Sequence, residues 1–286
     1  ERSQAAFADR GIFGALANRF RISPLVGYLL AGVLIGPFTP GYVADQNLAT
    51  DLAEIGVILL MFGVGLHFTL EDLLSVRTIA IPGAVAQIAS ATVLGMGLAY
   101  ILGWSIGAGI VFGLALSVAS TVVLLRAMQE RRLIETERGR IAVGWLVVED
   151  FVMILALVLL PSLAGIIKGT GGTGFGAVAV PVLITLGKVA AFVAVMLIIG
   201  KRVIPWILHA VVHTGSRELF RLCVLAIALG VAFGASVLFD VSFALGAFFA
   251  GMILSESELS QRAAQETLPL RDAFAVLFFV SVGMLV

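Results

Sequence analysis

Apolar residues along this chain fall into long blocks, each closed by a short cluster of charged residues, Gly or Pro. The pattern predicts ten helices, at about 4–20, 24–37, 51–68, 78–102, 105–128, 140–163, 178–201, 218–239, 241–255 and 268–286. Roughly 20 apolar residues span a bilayer core, and most of the blocks approach that length. None alternates with the period of two that a barrel strand requires, and an open sheet cannot satisfy its backbone in lipid, which leaves α-helices. Asp9 and Arg10 break the first block, and the second and ninth are short, as expected of interrupted helices or helices packed within protein.

Composition strengthens this membrane reading. Of 286 residues, 60% are hydrophobic and 13% charged, against about 45–50% apolar and about 25% charged in soluble domains. The formal net charge is zero, so no nucleic-acid partner is expected. Cys223 is the one cysteine, which excludes an internal disulfide and leaves no Cys/His metal cluster. Fourteen of the 18 Lys and Arg residues fall in alternate connections, among them Arg131, Arg132, Arg138 and Arg140. Because basic residues collect on the cytoplasmic side, the N-terminus is expected outside and the 129–140 loop in the cytoplasm. Glu1 at the start and FFVSVGMLV at the end read as the edges of a piece of a longer protein.

Two segments recur at a nearly constant offset. SPLVGYLLAGVLIG (23–36) aligns with SFALGAFFAGMILS (242–255), matching Gly27 with Gly246 and Gly32 with Gly251. Residues 52–66 then align with 270–284, pairing Glu54 with Asp272 and Gly65 with Gly283. An odd number of crossings lies between the copies, so the second is inverted relative to the first. The expected organisation is a first repeat of six helices at 1–163, a linker helix and cytoplasmic loop at 164–217, and an incomplete second repeat at 218–286.

The block 140–163 carries Glu149 and Asp150 side by side within GWLVVEDFVMIL. An acid near a helix centre in a membrane costs about 2.5–3.5 kcal/mol on insertion scales and normally faces a partner or a water-filled cavity. Neighbours on a helix point about 100° apart, so the two carboxyls are expected to do different jobs. A carboxyl exposed in turn to either side can hold a proton in one state and a cation in another, which is the chemistry of exchange. Asp150 is the candidate carrier; Glu149 reads equally well as a structural acid tied to a group elsewhere.

The preceding block, 105–128, holds Gly113, Ser117, Ser120 and Thr121 near its middle. Such hydroxyls often bond only to a carbonyl one turn back. The alternative is a helix broken at SVAST, whose freed carbonyls would coordinate a cation beside the acid, with Ser120 and Thr121 as ligands. Elsewhere, Lys188 is expected to snorkel or bridge helices. His209 and His213 in HAVVH lack the Glu of a zinc motif and fit a basic cytoplasmic loop. His67 caps a helix end, and Glu54 and Asp272 satisfy helix N-termini.

These residues resemble the monovalent cation:proton antiporter-2 family, and within it the Kef-type branch. The likeness covers essentially the whole chain and is carried by RISPLVGYLLAGVLIGPFTPG (21–41), EIGVILLMFGVGLHF (54–68), ASTVVLLRA (119–127), GWLVVED (144–150), GSRELF (215–220) and DVSFALGAFFAGMILSESELS (240–260). It implies an all-α, inverted-repeat membrane fold of thirteen helices, about ten of them within this chain, usually as a homodimer. It also implies that Asp150 binds the ion, and that a cytosolic domain binding NAD(H) or AMP follows the membrane part. Two departures stand out: Glu149 replaces the Asp, Asn or Gln of relatives, and RAAQETLPL (262–270) replaces the HALE-type motif of glutathione-gated members.

The expected function is therefore secondary transport rather than enzymatic catalysis. It exchanges K⁺, or Na⁺, for H⁺ across the bacterial inner membrane by alternating access, with Asp150, Glu149, Thr121 and Ser120 as ion or proton ligands. A ligand-gated K⁺ efflux channel would use the same acid as a filter charge. An intramembrane aspartyl protease would need a GxGD pattern, which does not occur.

Overall fold

A computed structural model describes residues 24–39, 45–167 and 175–285. The first predicted block, 4–20, lies outside the described residues. Among those described, no strand occurs. The helices are α1 (Pro24–Ile35), α2 (Gln46–Gly65), α3 (Leu70–Ser75), α4 (Arg77–Ile101), α5 (Ile106–Ser117), α6 (Thr121–Glu130), α7 (Glu137–Ile167), α8 (Phe175–Val195), α9 (Lys201–Val212), α10 (Arg217–Phe239), α11 (Phe243–Ser255) and α12 (Ser260–Gly283). Among the described residues, five spans are long and apolar enough to cross a membrane: Gln46–Gly65, Arg77–Ile101, Ile106–Glu130, Ala179–Val212 and Arg217–Phe239. The predicted short blocks are α1 and α11, of 12 and 13 residues. Every residue of α11 from Leu245 to Leu254 is buried, so it is a helix packed within protein.

Two groups of helices organise the molecule. In one, α2 packs on α12 and α11, α12 packs on α1, and α10 packs on α11. In the other, α4 packs on α5 and α7. Val143, Leu146 and Val147 of α7 join the large apolar cluster around Phe62, Phe248 and Leu245, which holds the two groups together.

Glycines set how closely the first group packs. A Cβ on Gly32 would fall on the carbonyl oxygen of Val280 and 2.8 Å from Cα of Gly283. On Gly283 it would fall on Leu29 O and 3.0 Å from Cα of Gly32. The same contact is made a second time between Gly251 and Gly65, where a Cβ on Gly251 would fall on Phe62 O and one on Gly65 on Phe248 O. The aligned segments of the chain thus make matching backbone contacts, α1 on α12 and α11 on α2. Small residues are what allow membrane helices to approach this closely.

The block 105–128 is interrupted within SVAST, as the cation-site reading expects, giving α5 and α6 separated by Val118, Ala119 and Ser120. Other expectations change. The stretch holding Lys201, Arg202 and His209, expected as loop, is α9, joined to α8 by a π-helical turn at Met196–Gly200. It is helical because one side carries Ile204 and Leu208, both buried, while the charged residues face away. Asp272 is not near a helix start, because α12 begins twelve residues earlier at Ser260.

The short α3 is held from both ends of one side chain. Thr69 and Asp72 form a capping box, with Asp72 Oδ2 accepting from Thr69 N at 3.1 Å and from Thr69 Oγ1 at 2.8 Å. Arg140 at the start of α7 donates to Asp72 Oδ1 at 2.9 Å. Burial alone would raise the Asp72 pKa, but the Thr69 hydrogen bonds and the Arg140 charge outweigh it and leave it below the ordinary Asp value. A depressed pKa contributes stability that is present above the unfolded value, about 3.9, and lost as pH falls through the folded one. Asp72→Asn should therefore lower the melting temperature at pH 7, and the gap to wild type should close in acid below about pH 4. Thermal unfolding in detergent at the two pH values measures this.

Candidate functional site

The break between α5 and α6 is an extended stretch. Val118 has φ −74° and ψ 113°, and Ser120 has φ −75° and ψ 105°. Each end of a broken helix leaves backbone groups without intrahelical partners. Here two neighbouring side chains take one group from each side. Glu149 Oε1 accepts a hydrogen bond from the backbone N–H of Ala119. Gln87, on α4, donates its Nε2 to the carbonyl of Ser117 at 2.7 Å. Ser120 caps α6, its hydroxyl accepting from Val123 N at 3.4 Å, and Thr121 opens that helix. Among the described residues the carbonyls of Val118 and Ala119 accept no backbone hydrogen bond.

Glu149 and Asp150 look in different directions. Glu149 is 2% exposed. It lines a cavity of about 350 Å³ with Gln87, Ala119, Arg138, Ala142 and Trp145. Its Oε2 and the Oε1 of Gln87 are both buried without a hydrogen-bond partner. Asp150 falls one turn beyond Leu146 and Val147, on the side of α7 that meets the large apolar cluster. It is half-buried, and no hydrogen bond or salt bridge to it is found among the described residues. The structure thus brings Glu149 to the break, and it records no contact joining Asp150 to Ser120 or Thr121.

Comparison with known proteins bears on this arrangement of an acid pair beside a broken helix. Residues 11–286 match the family described as "Sodium/hydrogen exchanger, transmembrane". The chain belongs to that family. It is a multi-pass membrane protein of the sodium/hydrogen exchanger type. Over 274 residues it is 70% identical to the Escherichia coli (strain K12) protein named "Putative cation/proton antiporter YbaL", covering 96% of this chain and 49% of that protein. It is 61% identical over 256 residues to the "Uncharacterized protein in phaC 3'region" of Methylorubrum extorquens, covering 87% and 93%. It is 34% identical over 264 residues to "K(+) efflux antiporter 4" of Arabidopsis thaliana, covering 92% and 43%. The chain thus spans half or less of the Escherichia coli and Arabidopsis relatives.

Within this exchanger domain the remaining sequence candidates have mostly structural places. Ser117 donates its hydroxyl to Leu114 O at 2.7 Å, and Gly113 leaves room for the backbone of Thr92. Lys188 bridges helices, pairing with Asp240, which ends α10 in a left-handed conformation at φ 55°. His67 bonds to Gly63 O at 2.7 Å, and His213 bonds to His209 O at 2.6 Å rather than sharing a metal with it. Asp272 accepts from Arg126 of α6 at 3.1 Å and from its neighbour Arg271 at 3.1 Å, so it ties the second half-helix to α12. Gln87 is the residue missed. Its signal was a lone amide in the long apolar run 78–102.

Proposed function

We propose that the chain is the membrane part of a secondary antiporter that exchanges a monovalent cation for H⁺ by alternating access, with K⁺ as the first cation and Na⁺ as the second. The observation that carries this reading is the half-buried, unbridged Asp150 on the helix next to a break with two unpaired carbonyls. A carboxylate and peptide oxygens are the ligands a small hard cation takes, and the carboxylate is also the group a proton neutralises. One site that holds either species, but not both, couples their opposite movements. In this reading Asp150 is the shared carrier, Glu149 holds the break, and Ser120 and Thr121 contribute through the turn that starts α6. The names of the Arabidopsis relatives favour K⁺. The protein sits in the bacterial inner membrane as a homodimer, N-terminus outside, and its full-length form carries a cytosolic nucleotide-binding domain for NAD(H) or AMP.

The full-length protein in vesicles with a trapped pH dye tests this. Addition of K⁺, and less strongly Na⁺, to the outside should drive protons out and raise the internal pH, with Li⁺ as comparison. A cation flux indifferent to the proton gradient, or single-channel currents, would replace the antiporter by a channel. No response to any cation would end both readings.

A further inference from the structure

The Gln87 side chain holds one edge of the break between α5 and α6. Its Nε2 takes the Ser117 carbonyl, the last of α5. Its other polar atom, Oε1, is buried in the same cavity as Glu149. Glu149 in turn takes the Ala119 N–H on the far side of Val118. The break is therefore clamped at the groups on either side of Val118. The extended backbone here carries the Val118 carbonyl between the two clamped groups and the Ala119 carbonyl just beyond them, and both stay unpaired among the described residues.

We propose that Gln87 is a positioning residue of the cation site: by holding the Ser117 carbonyl it fixes the turn that aims the Val118 and Ala119 carbonyls at the cation. This rests on the antiporter reading, since it gives Gln87 a cation to serve. An amide suits the task because it donates without carrying charge, so it neither repels the cation nor competes with Asp150 for it. A helix carbonyl left without its donor would turn toward the nearest one, and the two that follow it would turn as well.

Cation affinity of the purified full-length protein, read as the rise of melting temperature with K⁺ or Na⁺ against choline, tests this without requiring transport. Gln87→Met keeps the volume and removes the donor, and should weaken the apparent affinity about tenfold. Gln87→Asn keeps the amide one methylene shorter, with room in the cavity for a bridging water, and should recover most of it. A purely structural role would lower the melting temperature without cation in Gln87→Met and leave the affinity unchanged, and that result overturns the proposal. If wild type binds a cation in a way that Asp150→Asn abolishes but Gln87→Met does not weaken, the proposal alone fails. If no cation stabilises wild type, the antiporter reading fails and takes this proposal with it.

Discussion

Asp150→Asn in the full-length protein should abolish cation-driven proton movement while leaving the protein folded. Asn keeps the size of the side chain but holds neither a proton nor a charge, so the site loses both of its alternating occupants at once. The attraction between unit charges within about 4 Å is worth several kcal/mol in a partly buried setting, and 1.4 kcal/mol is tenfold. A fall of at least about 100-fold in exchange is therefore expected, measured with the pH dye in vesicles. Folding should survive, because no described neighbour bonds to the carboxyl and so none is stranded. Glu149→Gln is the internal comparison. Glutamine retains an oxygen that can accept from Ala119 N–H, so this variant should shift the pH profile or the ion preference and keep turnover. Near-normal exchange by Asp150→Asn would remove Asp150 from the mechanism. Complete loss in Glu149→Gln would show that the two roles were divided wrongly.

The second large effect concerns stability. Gly251→Ala and Gly65→Ala each place a methyl on a carbonyl oxygen of the facing helix, Phe62 O and Phe248 O respectively. Backbone cannot step aside as a side-chain end does, so α11 and α2 would have to separate along their contact. Overpacking of this kind costs about 3 kcal/mol at its upper range. Both variants should melt well below wild type in detergent or fail to accumulate. Gly32→Ala and Gly283→Ala should behave alike, because the contact is the same. Gly97→Ala and Gly187→Ala are the controls: nothing lies within 4 Å of their Cβ positions, and both sit inside helices. They should be neutral or stabilising by up to about 1 kcal/mol. Equal losses at all six positions would mean that close approach is not what the first four glycines provide.

Much of this is legible in the sequence. Gly32 and Gly251, paired by the offset between 23–36 and 242–255, and Gly65 and Gly283, paired by that between 52–66 and 270–284, are the residues at the matching helix contacts, whereas Gly246 packs on Ala232 and Ala235 of α10. The polar stretch SVAST marked the break to within a residue, because hydroxyls and a missing apolar period are what an interrupted membrane helix leaves in a sequence. Gln87 escaped notice for the opposite reason. One amide in a helix has no periodicity, and its partner is 30 residues away, so its meaning exists only in the packing of α4 on α5. Residues 201–212 were misjudged because basic residues draw attention to a loop, whereas the buried pair Ile204 and Leu208 is the weaker but deciding mark of a helix. Asp272 was misjudged because polar residues at 260–270 hid the first turns of α12.

At the glycine contacts, peptide planes of α1, α2, α11 and α12 rest on one another with no side chain between them. Such a joint has no torsion angles with which to absorb a push, so these four helices form a stiff plate. Among the described residues, the three at 118–120 are a place that can give, because there the ladder of backbone bonds is already interrupted.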